Sequence, residues 1–171
     1  LISYMEKKGL NTDDLPLLPD GKGWLLVEFD GQTKEEADDK ARKLMKELKR
    51  MENHPAMSLF DDPRQEKMLW EIRESGLGAT AWVPGEKMSV PGWEDSAVAP
   101  EHVGDYLREL KRLFNKYGYN PSVYGHFGQG CIHCRVQFDL FTEEGLEKYK
   151  SFTQEAAHLV AIVHDRARLE R

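Results

Sequence analysis

Apolar residues recur at intervals of three and four along several stretches of the chain, which is the pattern of amphipathic helices. Thr33 can cap one such helix, because its hydroxyl precedes two carboxylates, Glu35 and Glu36, in the first turn. Thr142 is the equivalent start signal for the last helix. The pattern predicts helices over residues 33–51, 62–75, 100–118 and from 142 onward.

Two short apolar runs have the length of buried strands. Residues 24–30 lie between two glycines, and residues 56–60 follow the first helix. Residues 79–98 show no sustained period and are predicted to be a long loop that carries function. With a hairpin near residue 130, this order predicts an α+β fold, a ferredoxin-like antiparallel sheet with helices packed on one face. Residues 1–23 are predicted to be an irregular lead-in, and residues 24–171 one domain.

The predicted hairpin covers residues 124–136, with the sequence YGHFGQGCIHCRV. A two-residue turn at Gln129 and Gly130 would place His126 opposite His133, with both imidazoles within reach of one metal ion. Alternation along the second strand then separates a polar face from an apolar one. The polar face would hold Tyr124, His126, Cys131, His133, Arg135 and Gln137, and the apolar face Ile132, Cys134, Val136 and Phe138.

Several interpretations of this hairpin remain open from spacing alone. The two histidines can be metal ligands, or they can be surface side chains that hydrogen-bond to water. Two nitrogens also leave a catalytic metal short of its usual three protein ligands. Cys131 and Cys134 are predicted to point to opposite sides of a strand, which argues against a disulfide and places Cys134 in the core. A zinc site of both cysteines and both histidines would require a knuckle instead of a strand.

Composition narrows the class of protein. The 171 residues carry a formal net charge of -6 with no basic block, so nucleic acid is not an expected partner. No apolar run approaches the roughly 20 residues of a transmembrane helix, and the first residues lack the features of a signal peptide. Two cysteines do not form a disulfide framework, which favours a reducing compartment. We therefore expect a cytoplasmic protein.

Three motifs together resemble the C-terminal, substrate-capping domain of FAD-linked oxidases of the D-lactate and D-2-hydroxyglutarate dehydrogenase kind. Residues 125–133 are similar to the family motif G-H-x-G-D-G-N-x-H, with Gln129 in place of an aspartate and Cys131 in place of an asparagine. Residues 69–74, LWEIRE, resemble its W-x-I-R-E helix, and residues 94–100, EDSAVAP, its E-D-x-A-V-P stretch. The resemblance covers most of the chain from residue 24.

The resemblance implies part of an FAD-dependent enzyme that oxidises a D-2-hydroxy acid, such as lactate, glycolate or 2-hydroxyglutarate. It implies that His126 and His133 bind a divalent metal, zinc or manganese, which grips the substrate, and that Arg73 pairs with a substrate carboxylate. FAD would be held by an upstream domain, and relatives with this hairpin variant can be fused to an iron–sulfur domain. Arg73 can alternatively be a solvated helix charge or a partner of Glu74 or Asp62.

Two features qualify this expectation. Arg135 stands where many relatives have asparagine, and its place on the polar face makes it a second candidate contact for a carboxylate, or else a surface ion pair. The family's S-G-E-H-G loop, which supplies a further metal ligand, has no counterpart after Val163. The alternative is a non-catalytic α+β module that binds a metal or another protein, with Trp82 and Trp93 forming a contact surface.

Overall fold

The computed structural model describes residues 2–81, 85, 89 and 93–169. The described residues form six α-helices and three strands, which confirms the α+β class. They divide into two compact units, one of Gly9–Ser75 and one that combines α1 with the chain from Gly76 onward. The elements are α1 (Ile2–Lys8), α2 (Lys34–Leu48), α3 (Pro63–Glu74), α4 (Gly76–Thr80), β1 (Asp95–Ala97), α5 (Val103–Tyr117), β2 (Ser122–His126), β3 (Cys131–Arg135) and α6 (Glu143–Leu169).

The predicted helices form because their ends are capped as the sequence indicates. The Thr33 hydroxyl accepts a hydrogen bond from the amide of Glu36, and the Thr142 hydroxyl accepts one from Gly145. Gly118 ends α5 with a left-handed φ of 65°. The predicted helices are therefore confirmed, with α2 ending three residues before the expected position.

The sheet lies in the larger unit and is antiparallel throughout, with β3 between β1 and β2. One face of β3 packs against α5 and α6, so the helices cover a single side of the sheet, as predicted. Phe114 of α5 and Phe152 of α6 stack with ring centroids 5.2 Å apart within this core. The apolar side chains of β3 are buried in this core, and their burial fixes the position of the strand. The same strand carries Cys131, His133 and Arg135 on its polar face.

Two predictions for the larger unit need correction. Residues 2–8 form α1 instead of an irregular lead-in, and Lys8 Nζ anchors this helix by donating to the carbonyls of Gly78 and Ala81. The predicted loop over residues 79–98 contains β1. A three-residue strand is too short to produce a detectable alternation of polar and apolar positions, and its pairing with β3 is what defines it. No helix in the described part of the chain is long and apolar enough to cross a membrane.

The two strands predicted in the smaller unit are wrong. Residues 24–30 and 56–60 are irregular, and no backbone-to-backbone hydrogen bond joins either segment to another described residue. Leu25 is 70% exposed and Val27 58% exposed. An apolar run of this length becomes a strand only where a neighbouring strand pairs with it. The sequence of the run does not show whether such a partner exists. Both segments, with α2 and α3, line a largely apolar cavity of about 650 Å³.

Candidate functional site

The hairpin pairs β2 with β3 in a register that differs from the predicted one. Tyr124 lies opposite His133, and His126 lies opposite Cys131. The predicted two-residue turn is wrong, because residues 127–129 form a 3₁₀ turn that Gly130 closes with a φ of 75°. A shift of two residues leaves every side chain on its predicted face, since the period of a strand is two.

The polar face of the hairpin brings its aromatic rings together. The imidazoles of His126 and His133 lie diagonally across the strand pair, with ring centroids 5.4 Å apart and planes at 84°. The ring of Tyr124 lies 5.3 Å from that of His133. The prediction that both imidazoles share one face is confirmed. Along β3 and the residues after it, burial alternates as expected, with Ile132, Cys134, Val136 and Phe138 in the core.

The two cysteines of the hairpin take opposite sides of β3. Cys134 is 1% exposed, and burial raises the pKa of its thiol to about 12. Cys131 is half-buried on the polar face. The prediction that the two cysteines point to opposite sides of a strand is confirmed, and this separation excludes a zinc site that uses both of them.

Asp95 completes the surroundings of His133 from the neighbouring strand. It lies directly opposite His133 in the pairing of β1 with β3, and its Oδ1 is 2.5 Å from Nδ1 of the imidazole. An ionised carboxylate only accepts hydrogen bonds, so Nδ1–H of His133 donates to Asp95. Asp95 cannot be identified as a neighbour of His133 from the sequence, because periodicity does not reveal the register of a three-residue strand.

Arg135 is held by the residue before β1. Its Nη2 lies 2.6 Å from Oε1 of Glu94, and the two side chains are only 13% and 30% exposed. The ion pair anticipated as an alternative for Arg135 is thus present. Within the described residues, Nε of Arg135 is buried without a hydrogen-bond partner. The guanidinium therefore depends on Glu94 for compensation of its charge.

The remaining predicted residues lie elsewhere. Arg73 belongs to the smaller unit, in the last turn of α3, and is half-buried. Trp93 is half-buried and packs against the core of the larger unit. Trp82 lies outside the described residues. His126, His133 and Arg135 thus lie together on the sheet of the larger unit, whereas Arg73 belongs to the smaller unit.

The turn of the hairpin is fixed by a close approach of two backbones. The amide of Val98, just after β1, donates to the carbonyl of Gly130 over 3.1 Å. A Cβ at position 130 would stand 1.8 Å from the carbonyl oxygen of Val98. Glycine is therefore required here both for its positive φ and for the missing side chain. This contact ties the turn to β1, the strand that carries Asp95.

The donor set partly fits a divalent metal. Two neighbouring imidazoles on one sheet face are ordinary ligands of zinc or manganese, and a carboxylate bound to one of them is the usual outer support of such a ligand. Among the residues that the structure describes, no group of three or more His, Cys, Asp or Glu side chains could hold an ion. A metal at this face would need a third donor from outside that part of the chain.

Comparison with known proteins places this chain in a family. Residues 5–164 match the family model described as "FAD linked oxidases, C-terminal domain". A D-2-hydroxyglutarate dehydrogenase of Haemophilus influenzae is 27% identical over 143 residues, which is 80% of this chain and 14% of the relative. A D-2-hydroxyglutarate dehydrogenase of Pantoea ananatis is 28% identical over 103 residues, which is 60% of this chain and 10% of the relative.

A third relative, the D-2-hydroxyglutarate dehydrogenase of Escherichia coli, is 29% identical over 72 residues, which is 42% of this chain and 7% of the relative. The chain thus spans one seventh or less of the length of these relatives. Because the family model matches almost the whole chain, and the resemblance of the three motifs agrees with it, the chain belongs to the family of FAD-linked oxidase C-terminal domains.

Proposed function

We propose that this chain is the substrate-binding cap domain of an FAD-dependent oxidoreductase that converts a D-2-hydroxy acid to the 2-oxo acid. Membership of the FAD-linked oxidase family supports the flavin, and the relatives, which are D-2-hydroxyglutarate dehydrogenases, favour 2-hydroxyglutarate within that substrate class. The single structural observation that carries the proposal is the pair of imidazoles, 5.4 Å apart on one polar sheet face. The cap contributes substrate binding, and FAD accepts the two electrons when it is bound.

The imidazole pair is the proposed metal site. His126 and His133 would supply two nitrogen ligands, and a third ligand would come from outside the described residues. A zinc or manganese ion held there would act as a Lewis acid on the substrate hydroxyl and lower its pKa. The protein's own contribution is to hold both rings on a rigid strand pair, which avoids reorganisation when substrate binds.

Two arginines are the proposed carboxylate contacts. Arg135 stands on the same strand as His133, two residues away and therefore on the same face. Its planar guanidinium can bind a carboxylate through paired hydrogen bonds, although Glu94 already occupies Nη2. A substrate carboxylate would therefore use the remaining Nη group. Arg73, on α3, is the second proposed contact, and its support is the similarity of residues 69–74 to the family's W-x-I-R-E helix.

The partners follow from the same proposal. FAD would be held mainly by a separate flavin-binding domain, and an iron–sulfur domain is a further proposed partner for passing electrons onward. The two free cysteines support a cytoplasmic location, because a reducing compartment keeps thiols free. Without a flavin-binding domain, this chain alone is not expected to be active.

The proposal is tested by anaerobic reduction of FAD in the full-length protein. We expect bleaching of the flavin absorbance with one or more of D-2-hydroxyglutarate, D-lactate and the achiral glycolate, and none with L-2-hydroxyglutarate or L-lactate. Arg135→Met should raise KM for that acid with a smaller effect on kcat, because the guanidinium binds substrate and transition state alike. Arg112→Met, at an exposed position on α5, is the matched control. No reduction with any 2-hydroxy acid would overturn the proposal.

A further inference from the structure

The carboxylate of Asp95, on β1, contacts the ring of His133, one of the two proposed metal ligands, on β3. We infer that Asp95 is a positioning residue, which fixes the tautomer and the ring orientation of His133 so that Nε2 is the nitrogen presented to the shared polar face. This inference rests on the proposed function, because it gives the His126 and His133 pair a defined donor atom. It also gives a role to Asp95, a residue of the stretch 94–100 that is not among the proposed substrate contacts.

The position of Asp95 is set by the sheet and not by chance contact of flexible side chains. Asp95 and His133 are direct partners in the antiparallel pairing of β1 with β3, so both side chains leave the same face. The amide of Cys134 donates to the carbonyl of Glu94 over 2.7 Å, and that of Val98 donates to Gly130 over 3.1 Å. Backbone hydrogen bonds therefore flank the pair on both sides and fix the register.

The chemistry of the contact selects one tautomer. An ionised carboxylate has no hydrogen to donate, so the 2.5 Å contact with Asp95 requires a hydrogen on Nδ1 of His133. In the neutral imidazole the lone pair then resides on Nε2. A metal binds only an imidazole nitrogen that carries a lone pair, so the tautomer decides which ring atom can be a ligand.

The His133 and Asp95 side chains differ in how far they are exposed to solvent. The His133 side chain is 25% exposed, whereas that of Asp95 is 75% exposed. Tyr124 packs beside the His133 ring, with centroids 5.3 Å apart, and restricts its rotation from the other strand. Asp95 therefore contacts a mostly buried ring while it stays largely exposed itself, so it can set the hydrogen on Nδ1 without the cost of burying a carboxylate.

The test measures the tautomer directly, in metal-free full-length protein with ¹⁵N-labelled histidine rings, near pH 8, where an ordinary imidazole is neutral. The His133 signals are assigned from their absence in His133→Gln. We expect the Nδ1–H tautomer to dominate in the wild type and the Nε2–H tautomer to become populated in Asp95→Ala. Glu147→Gln, which removes an equally charged, exposed group on α6, is the matched control and should leave the signals unchanged.

A second measurement on the same variants gives the consequence for binding. Loss of an outer partner of a metal-bound histidine typically costs ~10- to 100-fold in metal affinity. We therefore expect Asp95→Ala to weaken Zn²⁺ or Mn²⁺ binding by that factor, with no change in Glu147→Gln. An unchanged His133 tautomer in Asp95→Ala would overturn the inference, whatever the metal affinity. Absence of metal binding in the wild type would overturn the metal role, while the tautomer result would still decide the role of Asp95.

Discussion

The substitution Gly130→Ala tests the geometry that brings the hairpin and β1 together. A Cβ at position 130 would meet the carbonyl oxygen of Val98 at 1.8 Å, and the residue has a φ of 75°. An alanine in the left-handed region costs ~1–2 kcal/mol. Relief of the clash requires the turn to move away from Val98, which breaks the hydrogen bond from its amide to Gly130 and costs ~1 kcal/mol more.

The expected loss of local stability is therefore about 2–3 kcal/mol. The appropriate assay is hydrogen exchange of peptides that cover β2 and β3, because it reports local opening of this hairpin directly. That loss corresponds to a fall in protection of roughly 30- to 150-fold.

Gly128→Ala is the control for this substitution within the same turn. A Cβ at position 128 would have no atom within 4 Å, and the residue does not have a positive φ. We expect the control to change stability by at most ~1 kcal/mol, in the stabilising direction. Equal protection in the two variants would refute the close approach of the turn to Val98, and with it the alignment of β1 beside His133.

Three further predictions concern other parts of the larger unit. Iodoacetamide at neutral pH should modify Cys131 and spare Cys134 until the protein unfolds, because burial raises the pKa of the Cys134 thiol to about 12. Mass spectrometry measures the modification of each cysteine. Modification of both cysteines in the native state would contradict this prediction. Glu94→Gln should lower local stability in hydrogen exchange by ~1–3 kcal/mol, since it leaves the charge of Arg135 poorly compensated. Hydrogen bonds from Lys116 and Tyr117 lower the pKa of Glu155 from its ordinary 4.5, so the stability that the ionised carboxylate contributes is lost as the pH falls below that value. Acid titration of Glu155→Gln should therefore show a shallower loss of stability than that of the wild type. Equal slopes would refute the contact.

Local signals were sufficient to predict the helices and the faces of the hairpin. Threonine and aspartate caps act within one turn of their own helix, so Thr33 and Thr142 identify helix starts without knowledge of the fold. The alternation of burial after residue 130 likewise follows from a period of two. The register of the hairpin was wrong because a 3₁₀ turn replaced the two-residue turn, yet the even shift preserved the shared face of the imidazoles.

Features that depend on distant pairing could not be predicted. Asp95 lies 38 positions before His133 along the chain, and only the pairing of β1 with β3 brings them together. The same limit explains the error over residues 24–30, where an apolar run of strand length has no strand beside it in the described residues. The ion pair of Arg135 with Glu94 also crosses strands, so spacing alone could not choose between it and a substrate contact.

The most direct test of the central claim is calorimetric titration of metal-free full-length protein with Zn²⁺ or Mn²⁺. We expect one site whose affinity falls in both His126→Ala and His133→Ala, by more than the ~10- to 100-fold typical of losing an outer partner. His158→Ala, at an exposed position on α6, should bind the metal as the wild type does. Undiminished binding in either hairpin variant would contradict the claim that the two imidazoles hold one ion.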